Sequence, residues 1–339
     1  MWRYTIEQKF KSVAAFLVII ILLPYVVSVF VNGVNTEAED EGGTFFVKVK
    51  VPDTEEADGV SEVNWTEYLA GILAMEMPED SEPEAMKAQA VLVRTQIYRE
   101  ADAAESGILT SSWMSREELE KKWGAENFED NYKKYTDAVE QTDDVVLYYN
   151  DACAWTPFHQ SSAGKTRSAA EVMGTEEYPY IAVRECPADK EADEEIQVFS
   201  FTYKQIQELC RDFLVAAADG EQAEQGYSFE DFEILSTDSA GYVKELRIGE
   251  TVCTGDQFRD ALSLPSGAFS LAEGAAAGEG EAQDEAKIKI TTTGKGHGLG
   301  MSMWTANQMA KEGKTYEEIL AFFFDGTELR GDMPETERF

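Results

Sequence analysis

The stretch YLAGILAMEMPEDSEPEAMKAQAVLVRTQIYR, Tyr68–Arg99, holds two helical patterns separated by a break between Pro78 and Pro83. Asn64, three residues before Glu67, has the spacing of a capping box. A helix opens there, runs through TEYLAGILAMEM and stops near Met77-Pro78. Ser81 and Glu84 form a second such box, with Pro83 in the first turn. The second helix runs to about Ala104. On it Ala85, Ala88, Leu92 and Thr95 share one face, and Lys87, Val91, Arg94 and Tyr98 another. Glu76 is flanked by Ile72, Leu73, Ala74, Met75 and Met77. A carboxyl among such neighbours is poorly solvated, which raises its pKa and keeps a proton available near neutral pH, as a general acid requires. From spacing alone, a solvent-facing glutamate at a helix end is the commoner arrangement.

Before this pair of helices, Phe45–Val51 (FFVKVKV) reads as a strand, and Asp53–Glu62 as an acidic loop. After it, Ser111–Gly124 and Tyr132–Glu140 read as helices. Val145–Tyr149 and Ala152–Phe158 read as strands paired around an Asn150-Asp151 turn. His159–Glu177 is small, polar and glycine-containing, and reads as a loop. TYKQIQELCRDFL, Thr202–Leu214, has an amphipathic helical pattern. Phe232–Ser236 and Val243–Ile248 alternate as strands around Asp238–Gly241, and Phe258–Leu262 is a short helix. Gly274–Ala286 is a low-complexity Ala/Gly/Glu insertion between strands. Ile288–Thr292 is a strand, Gly294–Gly300 a glycine-rich loop, and Met301–Glu312 and Tyr316–Phe323 are helices. Short helices and strands alternate without a βαβ repeat, so the expected class is α+β.

The chain has 339 residues, and its 43% apolar share allows a sizeable core. The net charge of −36 excludes a nucleic-acid backbone as partner, because no basic surplus exists to displace counterions. Ser12–Val31 is an uncharged, mostly apolar run of bilayer length. Arg3, Lys9 and Lys11 precede it, and Glu37, Glu39, Asp40 and Glu41 follow it. That asymmetry predicts an uncleaved, single-pass anchor with the body outside the cell membrane. The expected organisation is a cytoplasmic tail at 1–11, a transmembrane anchor at 12–31, an acidic tether at 32–43, one extracytoplasmic domain at 44–330 interrupted at 274–286, and a tail at 331–339.

The two histidines lie in His159-Gln160-Ser161-Ser162-Ala163-Gly164 and in Gly294-Lys295-Gly296-His297-Gly298-Leu299-Gly300. Histidine beside serine raises the idea of a Ser/His hydrolase, but neither place has a GxSxG elbow. No HExxH or paired cysteines mark a metal site, and the glycine-rich loop lacks the GK[ST] of a P-loop. No metal and no cofactor is therefore expected. Cys153, Cys186, Cys210 and Cys253 allow three disulfide pairings or four free thiols.

Four segments, in order, resemble the stage II sporulation protein D family and its relatives, the LytB-type amidase enhancers. They are Tyr68–Arg99, PFHQSSAGKTRSAAEVMGTEEYPYI (Pro157–Ile181), SAGYVKELRIGETVCTGDQFRDAL (Ser239–Leu262) leading into SGAFSL, and GKGHGLGMSMWTANQMAKEGKTYEEILAFFFDGTEL (Gly294–Leu329). The resemblance implies a SpoIID-like mixed domain and a peptidoglycan lytic transglycosylase, which cleaves between N-acetylmuramic acid and N-acetylglucosamine without water. It implies that Glu76 is the catalytic acid/base. It also implies that Lys87 and Arg94, seven residues apart on one helical face, hold polar sugar or lactyl groups, and that Gln89 is buried and hydrogen-bonded. His159, Ser161, Ser162 and His297 would line the glycan cleft, and Trp304 would stack on a sugar. The partners it implies are peptide-stripped glycan strands and a cell-wall amidase working alongside.

The last family motif usually reads GHGxGMSQYGA, whereas Met303, Trp304 and Thr305 stand here for Gln, Tyr and Gly. This departure keeps open a non-catalytic peptidoglycan-binding or amidase-enhancing role. Some relatives bind zinc near the His-Ser-Ser motif through added cysteines. No cysteine follows Ser162 closely here, so zinc is not carried over.

Overall fold

Alternation decides the first strand. In β1 (Phe46–Lys50), Val47 and Val49 turn inward while Phe46, Lys48 and Lys50 face out. The computed structural model describes residues 45–50, 59–103, 107–192, 195–214, 227–274 and 287–331. The expected anchor at 12–31, the tether at 32–43, residues 275–286 of the insertion and residues 332–339 of the tail lie outside the described residues. The described residues from Phe46 onward form one compact unit of mixed α+β structure.

β1 pairs antiparallel with β2 (Val60–Asn64), although an acidic loop was expected to reach Glu62. The backbone ladder supplies pairing whatever the side chains, so weak local strand propensity is overridden. Asn64 then accepts from Glu67 N at 3.1 Å and starts α1 (Trp65–Glu76). Tyr68, Leu69, Leu73 and Ala74 bury this nearly all-apolar helix. It ends because Met77 is extended and Pro78 follows.

The central element is α2 (Pro83–Ala103). The expected Ser81–Glu84 box does not form. The Glu84 carboxylate instead accepts from Lys87 Nζ at 2.7 Å and from Tyr316 N at 2.8 Å. Both expected faces of α2 are buried, from Ala85, Ala88 and Leu92 round to Val91, Arg94 and Tyr98. The short β3 (Ile108–Leu109) pairs parallel to β1. Ser115 and Glu118 form a capping box for α3 (Arg116–Trp123), so only the latter part of the expected Ser111–Gly124 helix is helical. α4 (Ala125–Glu140) begins about two turns before the expected start at Tyr132.

β4 (Val146–Tyr149) and β5 (Ala152–Cys153) form a hairpin around Asn150 and Asp151, both with positive φ. The expected strand to Phe158 breaks after Cys153. β6 (Phe158–His159) pairs instead with a strand far along the chain. The expected loop at His159–Glu177 contains α5 (Ala169–Met173), and a 3-10 turn follows beyond it at Pro187–Glu191.

β7 (Ile196–Thr202) leads into α6 (Tyr203–Leu209), which stops short of Leu214. β8 (Phe232–Thr237), β9 (Val243–Ile248) and β10 (Thr251–Thr254) form an antiparallel sheet, and α7 (Gly255–Ala261) follows. β11 (Phe269–Glu273) and β12 (Lys287–Thr293) complete a second sheet in the order β11-β12-β7. β13 (Met301–Ser302) is the partner of β6 and leads into α8 (Met303–Lys311) and α9 (Tyr316–Phe323). β14 (Glu328–Arg330) adds an edge to β4.

Two cores result. The first packs α2 against α8 and α9, with Val91, Leu92, Leu147, Met301, Leu320 and Phe323 at its centre. The second fills the space between the two later sheets and α6 and α7, with Ile206, Phe232, Leu246, Phe258 and Ile290. The His-Ser-Ser loop and the glycine-rich loop run along the junction of these cores. All four cysteines are free thiols, and burial pushes Cys186 and Cys210 up to about 12 and Cys253 up to about 11.

Gly300 shows how tightly the glycine-rich loop is held. Its φ is +71°, and an added Cβ would lie 1.8 Å from Pro157 O. Gly300→Ala should destabilise the fold by about 2 kcal/mol or more, because both the backbone conformation and the space are wrong for a side chain. Urea unfolding checks this; an unchanged midpoint would contradict it.

Candidate active site

Glu76 is the last residue of α1 and is exposed. Its carboxyl has no hydrogen-bond or ion-pair partner among the described residues. Met75 beside it is also exposed, while Ala74 and Met77 are buried. Local desolvation raises the Glu76 pKa above the usual carboxylate range. The position at a helix C-terminus acts in the same direction, since the dipole there disfavours negative charge. The group is thus accessible, unengaged and more readily protonated than an ordinary glutamate.

The helix after it behaves differently. Lys87 is half-buried and tied to Glu84, one turn away. Arg94 is 0% exposed, and its guanidinium donates to Val145 O and Val139 O, each at 2.9 Å, and to Thr142 Oγ1 at 3.1 Å. Burial lowers its pKa to about 10, so it remains charged. The expectation that Arg94 touches a sugar is corrected: it joins α2 to the end of α4 and the start of β4. Gln89 is buried as expected, but neither amide atom has a hydrogen-bond partner among the described residues.

The two histidine loops do meet. Ser161 and Lys295 exchange backbone hydrogen bonds of 3.1 and 2.9 Å, and the His159 and His297 rings are 5.8 Å apart. His159 is buried, with Nδ1 3.0 Å from Leu299 O. A carbonyl only accepts, so Nδ1 carries the proton. Burial first, then His297, pushes its pKa down to about 3. His297 accepts from Leu299 N on Nδ1 at 3.0 Å, and burial followed by Arg259 and Arg167 lowers its pKa. Both rings are neutral near neutral pH, and neither can serve there as a cationic acid.

Ser161 and Ser162 do not line an open cleft. Both are buried, and their hydroxyls donate to Glu195 Oε2 at 2.9 Å and Asp189 Oδ2 at 2.5 Å. Neither donates to a histidine, which removes the Ser/His hydrolase reading. His159, Ser161 and Ser162 are therefore scaffold. Trp304 is half-exposed, and its backbone N donates to the exposed Gln160 at 3.0 Å, which brings it beside the His-Ser-Ser loop. One turn along α8, Asn307 Oδ1 accepts from Glu82 N at 2.7 Å. This bond ties the face of Trp304 to the segment between Glu76 and α2.

Three charged residues escaped the sequence reading. Asp189 is fully buried and accepts from Ser162 N, Ser162 Oγ, Ser302 Oγ (2.7 Å) and Thr305 Oγ1 (2.6 Å). It fastens the His-Ser-Ser loop to the start of α8. Arg167 donates to Asp238 at 2.7 Å, to Asp256 at 3.0 and 3.1 Å, and to His297 O at 3.2 Å, which anchors the glycine-rich loop to the second core. Glu195 stands where β7 begins and β12 ends, with Oε1 buried and unpartnered. Asp189 and Glu195 sit in an acidic run, Glu185–Glu195, whose members look alike in sequence. Arg167 carries no motif of its own.

Burial, reinforced by Asp189, raises Glu195 to about 7, against the opposing pull of Ser161 and Lys295. A raised carboxyl favours the fold fully below its unfolded pKa, and that contribution is lost as pH rises through about 7. Thermal stability should therefore fall between roughly pH 5 and pH 8 by up to about 3 kcal/mol from this group. Glu195→Gln should flatten that slope, as read by melting temperature across the range; an unchanged slope would contradict the assignment.

A family model described as SpoIID, stage II sporulation protein, matches residues 53–149, which include Glu76, Lys87 and Arg94. Stage II sporulation protein D of Bacillus subtilis (strain 168) is 32% identical over 281 residues, spanning 80% of this chain and 75% of that protein. Stage II sporulation protein D of Bacillus amyloliquefaciens is 28% identical over 290 residues, with the same shares covered.

Proposed function

The chain belongs to the stage II sporulation protein D family, and from that premise we propose that it is a membrane-anchored lytic transglycosylase acting on peptidoglycan glycan strands. Family membership supports a sporulation-related role at the cell wall. The observation that carries the finer reading is the Glu76 carboxyl, exposed, without a protein partner, and with its pKa raised by local desolvation.

The reaction follows from that one group. Protonated Glu76 gives its proton to the glycosidic oxygen between muramic acid C1 and the departing glucosamine. The C1–O bond breaks as positive charge spreads over C1 and the ring oxygen. Glu76, now ionised, takes the proton of the muramic acid 6-hydroxyl. The 6-oxygen closes on C1, and the product carries a 1,6-anhydro ring. Atoms balance without water, and the acid ends in its starting state. One carboxyl serves both steps in turn, so the paired nucleophile of a two-carboxylate glycosidase is not required. The neutral histidines do not compete for either role.

In this reading Trp304 is the group offered for stacking on a sugar face, and Lys87 and His297 for polar contacts. Arg94, His159, Ser161 and Ser162 support these from inside. The apolar run at 12–31 would hold the domain at the outer face of the membrane, with peptide-stripped strands delivered by a cell-wall amidase. The departure at Met303–Thr305 favours a second reading, a binding or amidase-enhancing protein without its own activity. Incubating the full-length chain with peptide-free glycan and with intact peptidoglycan separates the two. The proposal expects soluble fragments from peptide-free strands. Binding without fragments would support the second reading instead.

A further inference from the structure

The Glu76 carboxyl is free, but the backbone on both sides of it is not. Lys122 of α3 donates from Nζ to Ala74 O at 2.8 Å. Tyr135 of α4 donates its hydroxyl to Met77 O at 2.8 Å. Lys134 of α4 donates to Glu79 O at 3.0 Å. The last carbonyls of a helix have no intrahelical donor, and α1 has no basic residue of its own in its last turn. The α3–α4 pair supplies the missing donors from outside.

Tyr135 is the rigid member. It is fully buried, and its ring stacks on Trp123 with centroids 5.2 Å apart and planes 12° from parallel. Burial, then Glu79 and Asp80, raise its pKa, so the phenol stays a donor at any working pH. Met77 leaves the helix at φ −108° and ψ 134°. With Ala74 O and Met77 O both held, the backbone that carries Glu76 is fixed, and with it the direction in which the side chain leaves the helix end. The carboxyl itself keeps no internal contact that a substrate would have to break.

We infer that Tyr135 is a positioning residue for Glu76, with Lys122 holding the other side of the helix end; this rests on the reading of Glu76 as the acid/base. A carboxyl that must protonate one oxygen and deprotonate another tolerates little misplacement. Displacement by about 1 Å can cost on the order of 10²-fold in rate. Tyr135→Phe keeps the ring, its stack on Trp123 and the core volume, and removes only the donor to Met77 O.

The test compares full-length wild type, Tyr135→Phe, Lys122→Met and Glu76→Gln in detergent on peptide-free glycan, with kcat and KM measured separately. Amide hydrogen exchange at residues 75–80 is followed in parallel. The inference expects Tyr135→Phe to lower kcat about 10- to 100-fold with little change in KM, and to speed exchange at residues 75–80. The melting temperature should fall by no more than a few degrees, the cost of one buried carbonyl left without its donor. Lys122→Met should shift both readouts the same way, more weakly, and stands in if Tyr135→Phe does not fold. Wild-type kcat and exchange in both variants, with Glu76→Gln inactive, would overturn the inference alone. A wild type that leaves glycan intact, or a Glu76→Gln that still cuts it, would remove the reading of Glu76 and the inference with it.

Discussion

Glu76→Gln should lower glycan cleavage by about 10²- to 10⁴-fold, the range for loss of a positioned acid/base, with the upper end expected because the same carboxyl acts twice. The amide matches the carboxyl in shape but carries no transferable proton. The fold should not notice the change, because the Glu76 carboxyl makes no internal hydrogen bond or ion pair among the described residues. Glycan binding should survive for the same reason, since Trp304 and Lys87 are untouched. The expected signature is a fall in kcat with KM and melting temperature near wild type. A parallel loss of binding would assign Glu76 to recognition instead.

The largest stability effect should come from Asp189. Asp189→Ala should cost about 3–5 kcal/mol, as removal of one partner from a buried charged network does. It leaves Ser162 N–H and the hydroxyls of Ser162, Ser302 and Thr305 without their acceptor in a site closed to water. That loss is a large fraction of the total stability of about 5–15 kcal/mol typical of a domain. Asp189→Asn should lose less, because one oxygen remains to accept. The start of α8 is fastened through the same carboxylate, so Asp189→Asn should also weaken glycan binding through Trp304. Chemical denaturation and glycan pelleting check the two effects. An Asp189→Ala protein as stable as wild type would contradict the network.

The helices and strands that the sequence announced were those with self-sufficient patterns. α1, with Asn64 at its cap and Pro78 beyond its end, depends only on neighbours in sequence, as does the β8–β9 hairpin around Gly241. The elements that escaped notice depend on distant partners. β3 exists because β1 lies beside it, and β6 because β13 does. The Ser81–Glu84 box failed because Tyr316, 232 residues away from Glu84, offers the same carboxylate a backbone donor. The site was legible to the same degree. Glu76 stood out because its flanks are apolar; the structure leaves Glu76 and Met75 exposed and still raises the carboxyl pKa by desolvation. Arg94, Ser161 and Ser162 are of residue types that usually face water. Only their folded surroundings, Val139 and Val145 carbonyls in one case and Asp189 and Glu195 in the other, show that they turn inward. Asp189 and Glu195 carry no local signal, since nothing in an acidic run tells which members will be buried.

The most direct measurement is a mass spectrum of the ends released from peptide-free glycan by wild type and by Glu76→Gln. Muramic acid ends one water lighter than the hydrolytic product, from wild type only, are the expected result. Ends carrying an added water, or intact strands that remain bound to folded wild type, would contradict the account of Glu76 as a lone acid/base closing an anhydro ring.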